Sequence, residues 1–238
     1  MDADKQTAKD IKKFDVTSLP NSSFSIVLAK RRGGKSTLIG DIITKMQKKG
    51  KLDCCLLFSG TDADFTMVDQ PYRYSDISKL HQVLDRYKAM TQYNAIADPA
   101  SRFKIRTLIV LDDLLLKLKS KDFKVLEELA VNGRHCAKNG MCLHIVVLAQ
   151  NLTSIPRIVR NNADMIFLNN ISSMREREIL FDEFLYLLCS SREGKKDSRQ
   201  LYDDLINQRD FTFMVIENYK QNARCFSDYI KYYVADKP

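Results

Sequence analysis

Leu28-Ala-Lys-Arg-Arg-Gly-Gly-Lys-Ser-Thr37 is the stretch on which the reading of this chain turns. It follows a short β-branched run, Phe24–Leu28, and precedes a helical pattern over Ser36–Lys48 with Leu38, Ile42 and Met46 on one face. A Gly-x4-Gly-Lys-Ser/Thr segment between a strand and a helix wraps backbone N–H groups around phosphate at the positive end of the helix. Gly34-Lys35-Ser36 fits that pattern, and Gly33 adds freedom. Ala29 stands where the first glycine is usual, which predicts a turn that differs slightly or tolerates a methyl. The ammonium of Lys35 is expected to reach β and γ phosphates, and the Ser36 hydroxyl to take one place on Mg2+. Lys30, Arg31 and Arg32 lie inside the loop, where one of them contacts phosphate or all three form a solvated basic turn. The expected nucleotide-binding set is therefore Ala29, Lys30, Arg31, Arg32, Gly33, Gly34, Lys35, Ser36 and Thr37.

Outward from the loop, apolar runs alternate with helical patterns. Strands are expected at Cys54–Phe58, Thr107–Leu111, His144–Ala149, Met165–Leu168 and Phe211–Glu217. Helices are expected at Asp76–Tyr93, with Ile77, Leu80, Leu84 and Tyr87 on one face, at Asp122–His135, and near Arg175–Leu188 and Ser198–Asn207. A short helix over Ile155–Asn161 takes Ser154 as its N-cap and Pro156 in its first turn. Gly50 sits where a helix C-cap belongs. Uninterrupted apolar strands between amphipathic helices predict an α/β fold, a mostly parallel central sheet covered on both faces. Residues 1–20, polar and closed by Pro20, read as an N-terminal arm outside the core, and 21–238 as one domain.

Ligands in such sheets gather at the carboxyl ends of the strands. Leu108-Ile-Val-Leu ends in Asp112-Asp113, a Walker B arrangement. Asp112 is expected to hold Mg2+, and Asp113 to orient the attacking water as general base, from a shorter stem than the commoner glutamate. His144–Ala149 is followed by Gln150-Asn151, a primary amide at the next strand end. A strand inserted between the phosphate-loop strand and the acidic strand marks the additional-strand branch of P-loop NTPases. In that branch the amide bonds the water or the γ-phosphate, so Gln150 joins Lys35 and Asp113 as a catalytic candidate.

Composition bounds the rest. The net charge of +8 favours an anionic partner, nucleic acid first. The longest apolar runs, Leu108–Leu111 and Ile145–Ala149, fall well short of the ~20 residues of a membrane span. The six cysteines include no Cys-x-x-Cys pair and read as reduced thiols, and no secretory leader is expected at Met-Asp-Ala-Asp-Lys. His81, His135 and His144 share no ligand spacing, and His144 reads as a structural histidine in its strand. Phe226, Tyr229, Tyr232 and Tyr233 suit packing better than base stacking, and Gly194–Asp197 reads as a surface turn.

The combination resembles the FtsK–HerA superfamily, and most closely the genome-packaging ATPases of large DNA viruses and their smaller relatives, over roughly residues 22–220. The residues that carry the resemblance are the loop Leu28–Thr37, Ile109–Asp113, the turn Gly133-Arg134-His135, Leu148-Ala-Gln150, and Ile155-Pro-Arg-Ile-Val-Arg160-Asn-Asn162. It implies a Mg-dependent ATPase that forms a homo-oligomeric ring (pentamer or hexamer) and drives double-stranded DNA into a capsid, with capsid or portal proteins as partners. The place of action implied is the host cytosol at the site of virus assembly, or the virion. It also implies an arginine finger donated by a neighbouring subunit, with Arg134 the first candidate and Arg160 the second.

Other readings remain at this point. No Asn-Lys-x-Asp guanine-reading motif occurs, which lowers a GTPase, and the extra strand with Gln150 lowers a nucleotide kinase. A cellular DNA-translocating ATPase and a slowly hydrolysing nucleotide-binding assembly scaffold stay open.

Overall fold

The structure is a computed structural model that describes residues 11–60, 65–114, 120–171, 173–185, 192–220 and 226–236. Eight strands form one sheet: β1 (Ser23–Leu28), β2 (Cys54–Ser59), β3 (Arg73–Tyr74), β4 (Arg106–Asp112), β5 (Cys142–Ala149), β6 (Met165–Leu168), β7 (Thr212–Glu217) and β8 (Ile230–Val234). Their order is β3-β2-β4-β5-β1-β6-β7-β8. The first six pair with one another in parallel, and the pairs β6–β7 and β7–β8 are antiparallel. β5 thus lies between the phosphate-loop strand and the acidic strand, as expected for the additional-strand arrangement.

Among the described residues the α-helices are α1 (Lys35–Lys48), α2 (Ser78–Ile96), α3 (Ser120–Cys136), α4 (Arg157–Asn161), α5 (Met174–Phe184), α6 (Arg192–Ile206) and α7 (Phe226–Tyr229). The sheet divides the apolar core in two. Phe24, Ile26 and Leu28 of β1 face one cluster with Leu84, Leu126 and Leu180, whereas Val27 and Ala29 face the other with Leu38, Ile42 and Met46 of α1. A strand covered on both sides has no solvated face on which to place polar residues, so its sequence reads as an unbroken apolar run. That is why β1, β4, β5 and β6 were legible as strands and why their polar residues fall at the ends.

Several expectations need correction. Residues 11–20 are not outside the core: Ile11, Phe14 and Val16 are buried. The Phe14 N–H donates to the Tyr232 carbonyl at 2.7 Å, and its ring meets Phe167 edge-on. The arm thus extends the sheet beside β8, itself absent from the sequence reading, as is β3. Pro156 rather than Ser154 takes the cap position of α4, because Ser154 spends its hydroxyl on the Asn151 carbonyl. Gly133-Arg134-His135 is not a turn but the end of α3, and Gly194–Asp197 lies within α6. The expected helix over Arg175–Leu188 is α5 as far as Phe184; residues 186–188 lie outside the described residues. Tyr229 and Tyr233 are buried, in keeping with packing. Among the described residues no helix is long and apolar enough to cross a membrane.

His144 is a structural histidine of the kind expected. It is buried, and its Nδ1 shares a hydrogen bond of 2.9 Å with the hydroxyl of Ser23, its register partner on β1. Burial pushes its pKa down to about 4. The folded chain therefore keeps His144 neutral between about pH 6.5 and 4, where the unfolded chain takes up the proton, so stability falls as pH drops through that window. Replacing His144→Gln should remove roughly 2 kcal/mol of the stability loss between pH 7 and pH 5, measured by urea unfolding at both pH values. An unchanged pH dependence in the variant would contradict the assignment.

Candidate active site

The phosphate loop is held at the carboxyl edge by its neighbours. The Ala29 N–H donates to the Ala149 carbonyl of β5 at 3.2 Å, and the Asn169 N–H, just past β6, donates to the Leu28 carbonyl at 2.9 Å. Positive φ falls at Arg32 (62°) and Gly34 (82°), whereas Ala29 is spared it. The departure at Ala29 therefore costs little. Its methyl is buried, and the space comes from Gly33: a Cβ there would lie 3.0 Å from the Ala29 Cβ and 2.9 Å from the Lys30 carbonyl oxygen. Loop strain rests instead on Arg32, a side chain in a backbone region that glycine takes more readily. Arg32, like Lys30 and Arg31, is exposed.

Lys35 opens α1 and turns its Nζ back on the loop, donating to the Ala29 carbonyl at 2.9 Å and the Lys30 carbonyl at 3.4 Å. Its pKa lies below the ordinary lysine value, with burial the main cause and the carboxylates of Asp113 and Asp112 opposing it. Asp112 is in the opposite position. Burial and the neighbouring Asp113 push it up to about 6, against Lys35 and a 3.4 Å contact from the Ser59 hydroxyl. Asp113 adopts φ 48°, a left-handed conformation that aspartate tolerates better than most residues. The Gln150 Nε2 donates to Asp113 Oδ1 at 3.2 Å. Acid, amide and lysine thus come together from β4, β5 and α1. A half-buried cation that donates to neutral carbonyls, close to a buried carboxylate whose charge it offsets only in part, is a donor set that suits Mg2+ and phosphate. Ser36 is the hydroxyl at the same helix start, on an exposed residue.

The two arginines separate. Arg160 is buried in its own subunit: it forms a two-pronged ion pair with Glu183 (2.9 and 2.7 Å) and donates to the Ile155 and Leu152 carbonyls at 2.7 and 3.3 Å. A finger must project into a neighbour's site, whereas the structure places this guanidinium on partners within its own subunit. Arg134 has its backbone in the last turn of α3; its side chain lies outside the described ones. Since α3 starts beyond β4 at the carboxyl edge and runs ~25 Å back, Arg134 stands far from its own phosphate loop.

Two residues near the loop were missed. Asn169 ends β6 as Gln150 ends β5, and the strand-end rule would have found it. Its Nδ2 donates to the Thr212 carbonyl at 2.7 Å, and its Oδ1 lies 3.3 Å from where a Gly33 Cβ would stand. Phe211, expected as the first residue of a strand, precedes β7 at φ 56° with its ring against Gly34.

Two substitutions test these environments. Asp112 takes a proton more readily folded than unfolded, so its ionised form destabilises the fold above about pH 6 and not below about pH 4. Asp112→Asn should raise stability at pH 7 in EDTA by roughly 1–3 kcal/mol, with no gain near pH 3.5, in thermal melts. Glu183→Ala strands a buried guanidinium and should cost about 3 kcal/mol of unfolding free energy. A surface finger at Arg160 would instead leave folding untouched.

No protein-family model matches the chain. An uncharacterized protein of Acanthamoeba polyphaga mimivirus, L649, is 24% identical over 212 residues, which cover 88% of this chain and 64% of that protein; the chain thus spans just under two thirds of this relative's length. Among solved structures, the genome packaging NTPase B204 from Sulfolobus turreted icosahedral virus 2, in complex with sulfate, superimposes with a TM-score of 0.58 at 14% identity, covering 92% of this chain and 98% of B204. EssC (ATPases 2 and 3) from Geobacillus thermodenitrificans matches with a TM-score of 0.56 at 14% identity, over 91% of this chain and 40% of EssC. The chain has the P-loop NTPase fold shared by a viral genome-packaging NTPase and an EssC ATPase.

Proposed function

We propose that this chain is a Mg-dependent ATPase of the FtsK–HerA type that moves double-stranded DNA into a viral capsid. The observation that supports this most is the convergence of Lys35, Asp112, Asp113 and Gln150 at one carboxyl edge, in a fold shared with B204. B204 has also been captured with ATP-gammaS, at a TM-score of 0.54.

In this reading Ser36 and Asp112 would hold Mg2+, which would supply charge neutralisation to the phosphates. Lys35 exchanges two neutral carbonyl acceptors for phosphate oxygens, a stronger charge-assisted bond. The loop N–H groups at the start of α1 cradle the phosphates. Asp113 takes the proton of the attacking water. Gln150, which holds Asp113 at rest, orients that water or the γ-phosphate once the bond is exchanged. Arg134 serves as the finger in trans. The place of its backbone in the last turn of α3 supports action on a neighbour's loop in a ring rather than on its own. The +8 net charge suits a DNA partner, and capsid or portal proteins would anchor the ring.

The test is steady-state ATP hydrolysis with and without double-stranded DNA at two salt concentrations. DNA should stimulate turnover, salt should weaken the stimulation, and Lys35→Ala or Asp113→Asn should lower the rate at least ~100-fold. Mixing Lys35→Ala with Arg134→Ala subunits should restore part of the activity. Hydrolysis indifferent to DNA, with no restoration on mixing, would contradict the motor; nucleotide binding without turnover would favour the scaffold.

A further inference from the structure

We infer that the amino edge of the sheet, opposite the phosphate loop, grips the DNA backbone through Lys49, Lys51, Lys104 and Lys138. The inference rests on the motor reading and supplies its DNA contact. The loops that enter β2, β4 and β5 lie side by side at that edge, because those strands are consecutive in the sheet and parallel. The Asp53 N–H donates to the Arg106 carbonyl at 2.8 Å, and the Cys142 N–H donates to the Ile105 carbonyl at 3.0 Å. A Cβ on Gly50 would lie 4.0 Å from Arg106 Nη1, and one on Gly140 would lie 3.8 Å from Lys104 Cγ. Neighbouring strands stand about 4.8 Å apart, so the three loops span about 10 Å, roughly three nucleotides of one DNA strand at ~3.4 Å each.

Charge is the first observation. The four lysines are exposed, and among the described residues none of them is in an ion pair. Lys51 donates to the Thr17 carbonyl, a neutral acceptor. The carboxylates nearby are fewer and partly engaged. Asp53 accepts from Arg106 Nε at 2.8 Å. Asp15 accepts from the Thr17 N–H and hydroxyl at 2.9 and 2.8 Å, with Lys51 and Lys49 adding a smaller attraction. Asp98 is exposed. The negative end of a helix favours a cation, which accounts for Lys49 and Lys138 beside the ends of α1 and α3. It does not account for Lys51 and Lys104, which lie on strand-entry loops. The exposed Lys30, Arg31 and Arg32 of the opposite edge sit inside the phosphate loop, where DNA would compete with the triphosphate.

The second observation is how two of these loops are held. Asn94 of α2 is fully buried, and its amide joins them. Its Nδ2 donates to the Phe103 carbonyl at 2.8 Å and the Asn139 carbonyl at 3.1 Å, and its Oδ1 accepts from the Phe103 N–H at 2.8 Å. The Thr91 hydroxyl donates to the Cys136 carbonyl at 2.8 Å. Lys104 follows Phe103 and Lys138 precedes Asn139, so their backbones stand at a fixed separation. Cations on anchored backbones lose less freedom on binding than cations on mobile loops. Lysine ammonium groups act as point charges on phosphate and read no base, which suits a motor that must move along any sequence.

The test is fluorescence anisotropy of duplex DNA of two unrelated sequences, titrated with wild type, Lys104→Ala/Lys138→Ala and Lys104→Arg/Lys138→Arg between about 50 and 200 mM salt. The alanine variant should bind both duplexes more weakly. Its slope of log affinity against log salt should be shallower by about 1.8, so it loses about 10-fold less affinity across that range. The arginine variant should match wild type within about 3-fold, and DNA-free ATP hydrolysis should stay within about 2-fold in both. An unchanged slope in the alanine variant would overturn the inference. So would an equal loss in the arginine variant, because loop structure rather than charge would then matter. A wild-type chain that binds no duplex at low salt would remove the motor reading itself, a result distinct from both.

Discussion

The close approach of three backbones at Leu28–Gly34 is the constraint on which the rest depends. β1 is hydrogen-bonded on both sides, to β5 and β6, and those ladders continue one residue further on each side of the loop, through Ala29 to Ala149 and through Asn169 to Leu28. The loop therefore leaves the sheet at a fixed angle and delivers Lys35 as the first residue of a helix. Gly33 is required because the Ala29 methyl and the Lys30 carbonyl fill the space a side chain would need, and Gly34 because its φ is positive and Phe211 lies against it.

That fixed geometry explains an electrostatic imbalance. Lys35 is held partly out of water with only neutral acceptors at its ammonium, and Asp112 is held out of water beside a second carboxylate. Both charges cost free energy in the fold, and Mg·ATP, the ligand of the proposed function, would bring each of them a partner. Stability given up at a site in this way is stability that binding can recover. Arg160 shows the opposite case: a buried charge fully paired with Glu183 and two carbonyls has nothing left to offer a ligand.

Much of this was legible in the sequence, for a physical reason. Parallel strands covered on both faces announce themselves as apolar runs, and their polar ends fall where ligands bind, so Asp112, Asp113 and Gln150 could be picked out one strand at a time. What escaped depends on pairings between distant residues. β8 alternates poorly, since Lys231 and Tyr232 are partly exposed and Tyr233 buries its ring against α1. Without β8 there was no partner for Lys12–Phe14, and the arm looked detached. The bond of Arg160 to Glu183 spans 23 positions and follows from how α5 packs beside the Leu152–Ser154 turn that precedes α4. Phe211 carries no local sign of a positive φ, because residue type predicts glycine there rather than phenylalanine.

The most direct test is a structure of the chain with Mg2+, ADP and aluminium fluoride. The account predicts Ser36 Oγ and the Asp112 carboxylate around the metal, directly or through its water. It also predicts Lys35 Nζ moved from the Ala29 carbonyl onto phosphate or fluoride, and Gln150 released from Asp113 toward the fluoride. Nucleotide bound elsewhere, or bound at the loop with Lys35 still on Ala29 and Asp112 without metal, would contradict it.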